Sequence, residues 1–284
     1  MDLRNMELEE RESFYKEFSL YSLGKTHKKI RNVYNINNNK KPNPNRFIVL
    51  ESYDSIRKAL LNNVRFDYIV VCPELAVTPE ALKVVTSINK LTKEGYLVSK
   101  KTYDSIIDKS SHFGVLAIVK FPEVELKTFE LKDSMRIVIL DGLEVQGNVG
   151  TIIRTADGAG ADLVILTNKR IRVTHPKFIR ASMGTVLNVP IAIAEMDDAI
   201  KWLKASGFKL YITDTRADQN YDNPEYSGRV AVIAGSEKYG VMKAWYNYKN
   251  TELIKLPMHG QADSLNVGVA TSIMLYEVLR KQNS

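Results

Sequence analysis

Short apolar runs alternate with amphipathic stretches along most of this 284-residue chain. Phe47-Ile48-Val49-Leu50 predicts a buried strand, and 52–62, with Ile56, Ala59 and Leu60 at helical spacing, predicts the helix after it. Tyr68–Cys72 predicts a second strand. Pro79 then opens a helical pattern through Leu91 as a first-turn proline. Gly95–Val98 and Val115–Val119 add two more strands, so 46–121 is expected to form a small α/β domain. A charged stretch, Pro122 to Ser134, predicts a linker.

A second alternation follows. Strands are expected at Arg136–Leu140, Leu163–Leu166, Val189–Ala194, Lys209–Thr213, Val230–Ala234 and Leu253–Leu256. Helices are expected at Asn148–Ala159, Pro176–Met183, Asp197–Ser206 and Ser264–Lys281. Helices interleaved with apolar strands predict a doubly wound α/β domain with a largely parallel sheet. The organisation expected is an N-terminal extension (1–24), a first domain (25–121), a linker (122–134) and a second domain (135–284).

Charge adds a candidate partner. The net charge is +7, and from Phe18 to Leu50 there is no acid. That segment holds Lys25, Lys28, Lys29, Arg31, Lys40, Lys41 and Arg46, and its polar tract Asn35–Asn45 predicts a flexible basic loop. An excess of this kind suits a polyanion such as RNA, although a solvated surface arm would have the same composition. The single cysteine, Cys72, rules out an internal disulfide framework and suits a reducing compartment. The four histidines lie far apart without metal-ligand spacing, so no metal is expected. The opening residues lack the apolar core of a signal peptide and no run is long enough to span a bilayer, so a cytoplasmic protein without membrane association is expected.

In open parallel sheets ligands bind beyond the carboxyl ends of the strands. Three loops there are rich in glycine and polar residues: Asp141 to Gly150, Gly235 to Gly240, and Pro257 to Asn266. Dinucleotide binding is excluded, because Gly158-Ala159-Gly160 has Leu163 in place of the third glycine and follows a helix. A GxxxxGKS/T phosphate loop and a GxSxG nucleophile elbow are both absent.

Asn148-Val149-Gly150-Thr151-Ile152-Ile153-Arg154 resembles motif 1 of the SpoU (TrmH) branch of the SPOUT methyltransferases. Gly235-Ser236-Glu237-Lys238-Tyr239-Gly240 resembles motif 2. Leu256-Pro257-Met258 with Ser264-Leu265-Asn266-Val267 and Ala270 resembles motif 3. His112-Phe113-Gly114-Val115 is similar to the segment that closes the family's N-terminal substrate-binding domain, with Phe113 replacing a glutamine. The resemblance implies an α/β protein with a C-terminal SPOUT domain, knotted and parallel-sheeted. It also implies a smaller N-terminal RNA-binding domain like the kink-turn-binding ribosomal proteins, the layout of the thiostrepton-resistance methyltransferases. The implied activity is S-adenosyl-L-methionine-dependent methylation of a ribose 2′-oxygen by a homodimer. Ribosomal RNA is the substrate favoured, transfer RNA is a second, and a catalytically silent RNA-binding or ribosome-assembly factor is the alternative class.

Carried over by the same resemblance, Asn148, Arg154, Glu237, Ser264 and Asn266 are the catalytic set. A guanidinium keeps its proton, so Arg154 is expected to grip phosphate and steady the developing alkoxide rather than abstract a proton. Glu237 is expected to orient Arg154 or touch the target nucleotide, and Ser264 to cap the last helix. Gly235, Leu256, Met258 and Leu265 are expected to hold the cofactor, with Thr213 and Asp214 placed either to reach it or simply to end their strand. Arg180, with Lys177 beside it, joins Lys25, Lys28, Lys29, Arg31 and Arg46 as an expected RNA contact.

Overall fold

Two sheets organise the chain in the computed structural model, which describes residues 3–92, 94–108 and 112–284. The chain divides into a unit of Met1–Phe121 with Val173–Asn188 and a unit of Pro122–Arg172 with Val189–Ser284.

The first unit holds β1 (Tyr21–Ser22), β2 (Phe47–Leu50), β3 (Phe66–Val71), β4 (Gly95–Leu97) and β5 (Val115–Lys120) in the order β1-β4-β3-β5-β2. β1, β4 and β3 run parallel, while β5 is antiparallel to both β3 and β2. Its helices are α1 (Leu8–Lys16), α2 (Lys28–Asn37), α3 (Tyr53–Leu61), α4 (Pro79–Asn89) and α5 (Lys100–Asp104). Pro79 stands in the first turn of α4, capped by Thr78, as its fixed φ favours.

Residues 1–24, expected as an extension, contribute a strand to this sheet, and Leu3, Tyr15 and Leu20 are buried. The tract expected to be loose from Asn35 begins inside α2, whose buried face is Ile30, Val33 and Ile36. Period-3.6 apolar spacing across Lys28–Asn37 outweighed the polar composition there. Cys72 is buried and free.

The second unit holds β6 (Met135–Asp141), α6 (Gln146–Gly158), β7 (Leu163–Thr167), β8 (Ile191–Ile193), α8 (Met196–Ala205), β9 (Lys209–Thr213), β10 (Arg229–Gly235), α9 (Lys243–Tyr246), β11 (Thr251–Ile254) and α10 (Val267–Gln282). The intervening α7 (Pro176–Ala181) belongs with the first unit. All six strands are parallel, in the order β11-β9-β10-β6-β7-β8. Continuous runs such as Ile137–Leu140 and Val230–Ala234 are buried throughout, as in a sheet covered on both faces. Val124, Leu126 and Phe129 pack on this core, so 122–134 is anchored to the second unit rather than free.

Helices α6 and α10 run side by side in the same direction. Thr155 Oγ1 meets Ser272 Oγ at 2.8 Å, and a Cβ built on Gly268 would lie 3.7 Å from Thr151 Cγ2. Small residues at this seam bring the two helix starts to the same edge of the sheet. Among the described residues no helix is long and apolar enough to cross a membrane.

Candidate active site

Because β11, β9, β10 and β6 are neighbours and parallel, their carboxyl ends open onto one edge. Segments far apart in sequence therefore meet there. A cleft of about 800 Å³ lies at this edge, lined among others by Thr213, Asp214, Gly235, Glu237, Leu256, Met258, Ser264, Leu265 and Asn266. All six residues expected to hold a cofactor are in it, with three of the five expected to be catalytic.

One wall is a tight reversal after β10. Ser236 N donates to the Gly240 carbonyl (3.0 Å) and Gly240 N to the Ser236 carbonyl (2.8 Å), with Gly240 at φ 69°. The chain folds so closely over Gly235 that a Cβ there would lie 2.3 Å from the Gly240 carbonyl carbon and 2.4 Å from Val241 N. Glycine is required at 235 by backbone approach and suits 240 by its left-handed φ.

The reversal aims Glu237 at the start of α6. Its carboxylate accepts from Asn148 Nδ2 (2.8 Å), Glu144 N (3.2 Å) and Val145 N (3.4 Å). A negative charge at unsatisfied amides of a helix N-terminus is favourable. Burial alone would raise the Glu237 pKa, but the hydrogen bonds from Asn148 and the backbone amides outweigh it and draw the carboxyl below its ordinary value.

Asn148 Oδ1 in turn accepts from Asn266 Nδ2 (3.2 Å), and Asn266 Oδ1 accepts from Gly268 N (2.9 Å). The three motif loops are thus joined side chain to side chain: Asn266 to Asn148 to Glu237. Two expectations change here. Asn266, not Ser264, caps α10, which starts at Val267; Ser264 stays outside it as an exposed cleft residue. Asn148, expected to open α6, lies inside it after Gln146, where it bridges Asn266 and Glu237.

Arg154 is exposed and lines no part of the cleft. Six residues beyond Asn148 on a helix, it points about 240° around the axis from it. Glu237 consequently orients Asn148 and not Arg154. The guanidinium that does line the cleft is Arg216, which sequence reading missed. It forks onto Asp214 (Nε to Oδ1 3.0 Å, Nη2 to Oδ2 2.9 Å), and Tyr246 Oη donates to Oδ2 at 3.2 Å. The Arg216 hydrogen bond holds the Asp214 carboxyl down at about 2.

Also missed was Asp141, buried at the end of β6, which accepts from Thr167 Oγ1 (3.0 Å), Asn168 Nδ2 (2.6 Å) and Met242 N (3.0 Å). An acid closing an otherwise apolar strand was the available signal. It ties the chain after the 235–240 reversal to the sheet. Among the described residues no three His, Cys, Asp or Glu side chains gather where they could hold a metal ion.

The expected RNA contacts separate into two kinds. Lys25, Lys28 and Arg31 are exposed on or beside α2. Lys29 is engaged in ion pairs with Glu94 (2.5 Å) and Asp67 (3.8 Å) and lies over the Tyr68 ring, so it serves packing. Arg46, at φ 55°, sits over the Phe121 ring. Arg180 and Lys177 are exposed on α7.

Comparison with known proteins shows the family of the chain. The model of the SpoU rRNA Methylase family matches residues 135–276, half of the chain. The 23S rRNA (guanosine(2553)-2'-O)-methyltransferase RlmP of Bacillus subtilis (strain 168) is 30% identical over 183 residues, covering 64% of this chain and 71% of that one. An AdoMet-bound rRNA methyltransferase structure from Sinorhizobium meliloti superposes with a TM-score of 0.81 at 28% identity, covering 92% of this chain and 97% of that one. The SpoU methyltransferase AviRb from Streptomyces viridochromogenes, in complex with AdoMet, shares the fold with a TM-score of 0.80 at 21% identity, over 91% and 99% of the two chains. The chain belongs to the SpoU rRNA methylase family and is an S-adenosylmethionine-dependent RNA methyltransferase.

Proposed function

We propose that this enzyme methylates a ribose 2′-oxygen of ribosomal RNA in the cytoplasm, acting as a homodimer. The observation that carries the reading is the hydrogen-bonded chain Asn266–Asn148–Glu237, which locks three loops around one cleft. The cleft suits S-adenosylmethionine: its volume lies in the range of small-molecule sites. Leu256, Met258, Leu265, Val267 and Ala270 offer apolar walls for an adenine, and Thr213, Asp214 and Ser264 offer polar groups.

When bound, S-adenosylmethionine supplies a methyl group made electrophilic by its sulfonium. The protein's part is alignment and charge. Gly235 and the 236–240 reversal hold one wall at fixed distance, and Glu237, itself ionised, fixes Asn148. Asn148 and Asn266 present amide groups at the rim, suited to hold a ribose hydroxyl in line for displacement. Arg154 is assigned to the RNA phosphate and to the charge developing on oxygen. Since it lies outside the cleft of its own chain, bound RNA or a second subunit must complete the arrangement. Val269 (47% exposed) and Tyr276 (52%), two turns apart on α10, give an apolar face that supports dimerisation.

Transfer of tritium from labelled S-adenosylmethionine, followed by mapping of 2′-O-methyl sites, tests the target. Label confined to large-subunit ribosomal RNA is expected. Label confined to transfer RNA would overturn the substrate, and label on a base would overturn the ribose.

A further inference from the structure

The first unit contains a cavity of about 350 Å³. It is walled by the end of β2, the first turn of α3, His112–Phe113, and α7 with the turn behind it. That turn is built with effort. Met183 and Gly184 are consecutive left-handed residues, at φ 50° and 78°. A Cβ on Gly184 would lie 2.8 Å from Ser55 Cα, and Lys58 Nζ donates to the Met183 carbonyl at 3.2 Å. A non-glycine residue persists in that conformation where its surroundings fix it. The result is a Met183 side chain 49% exposed at the cavity.

The polar groups are few and complementary. Glu51 accepts from Asn37 Nδ2 at 2.5 Å, and burial raises its carboxyl above the ordinary value, opposed in part by the Arg180 charge and by hydrogen bonds from the Asp108 backbone and Asn37. The Arg180 guanidinium forms an ion pair with Asp108 at 3.6 Å, and its side chain is 38% exposed at the cavity. Tyr53 and Phe113 pack ring to ring at 6.0 Å and supply an aromatic wall. With Glu51 and Asp54 in the lining and Asp108 nearby, a phosphate would be repelled. A nucleobase would not. Guanine carries two donors, N1–H and N2–H, followed along its edge by two acceptors, O6 and N7. Adenine has an acceptor at N1, and the pyrimidines have no N7.

We propose that this cavity receives an unpaired guanine of the RNA substrate, with Glu51 accepting from its donor edge, Arg180 donating to O6 and N7, and Tyr53, Phe113 and Met183 against its face. Splayed-out bases read on their edges and stacked on side chains are the usual basis of sequence-specific RNA recognition. The proposal rests on the assignment of RNA as substrate.

The test is fluorescence anisotropy of the full-length protein with labelled UUUGUUU, and with the same strand carrying inosine or adenosine at the centre. Guanosine should bind about tenfold or more tighter than adenosine, with inosine between them. Glu51→Gln and Arg180→Met should each bind the three strands alike while keeping the wild-type melting temperature and S-adenosylmethionine affinity. Equal binding of all three strands by the wild type, or a guanine preference that survives Glu51→Gln, would overturn the proposal. Displacement by GMP as effective as by the oligonucleotide would assign the pocket to a free nucleotide and overturn its role in RNA recognition. Methyl transfer measured on the same preparations separates the two claims. Intact transfer to ribosomal RNA without guanine preference sinks the pocket alone, and guanine preference without transfer sinks the ribosomal RNA target alone.

Discussion

Replacing Gly235 by alanine puts a methyl group where the backbone already is. The new Cβ would stand 2.3 Å from the Gly240 carbonyl carbon and 2.4 Å from Val241 N. Carbon atoms in contact sit about 3.5–4.0 Å apart, so one side must retreat by about 1.2 Å or more. No flexible side-chain tip is available to give way. Either the reversal closed by the Ser236–Gly240 hydrogen bonds moves outward or the end of β10 moves inward, and β10 is held by ladders to β6 and β9. The reversal is the softer element, and it is a cleft wall. Overpacking of this kind costs about 1–3 kcal/mol. The melting temperature should therefore fall by about 2–4 °C per kcal/mol. If the displaced wall forfeits about 1.4 kcal/mol of cofactor contact, the S-adenosylmethionine Kd rises about tenfold. Isothermal calorimetry and scanning calorimetry measure the two effects. Gly260→Ala is the control: nothing lies within 4 Å of its added Cβ, and both quantities should stay at wild-type values. A Gly235→Ala protein that binds S-adenosylmethionine normally would refute the assignment of this reversal to the cofactor.

Three further outcomes are expected. A double-mutant cycle on Asn148→Ala and Glu237→Ala should show coupling of about 1 kcal/mol in kcat/KM, since each is the other's partner at 2.8 Å; strict additivity would show that their contact is incidental. Asp214, held at about 2 by Arg216, contributes stability that is present above the ordinary carboxylate value and lost as pH falls through its folded pKa; Arg216→Met should return the Asp214 titration toward 3.8, and an unmoved NMR midpoint would refute the pairing. Neutralising Lys25, Lys28 and Arg31 together should flatten the dependence of log Kd for RNA on log salt by about two, at about 0.7 per phosphate contact. Lys29→Met should instead lower the melting temperature and leave the slope alone, because Lys29 is committed to Glu94 and Asp67; the reverse pattern would exchange their roles.

Much of the fold could be read locally. Strand runs such as Phe47–Leu50 and Lys209–Thr213 appear where their apolar patterns put them, and Pro79 opens its helix. Errors fell where a local rule met a longer-range partner. Residues 1–24 read as an N-terminal extension, yet Tyr21 and Ser22 pair with Tyr96 and Leu97, a contact whose sequence separation hides it from any window. Ser264 satisfied the composition rule for a cap, but the bridge from Asn266 to Asn148 placed the helix start two residues later.

The sequence by itself determined the identities that chemistry demands: the glycines of the 235–240 reversal, the amides at 148 and 266, and the carboxylate at 237. Their types and order carry the family's signature. Tertiary structure alone decided which of them touch. Strand order brought the ends of β11, β9, β10 and β6 to one edge, and helix phase turned Asn148 toward Glu237 and Asn266 and left Arg154 exposed away from them. It also supplied Arg216 and Asp141, whose roles depend on neighbours rather than on motif. Periodicity encodes which face of an element is apolar; it does not encode which elements become neighbours, because that depends on packing among parts distant in the chain.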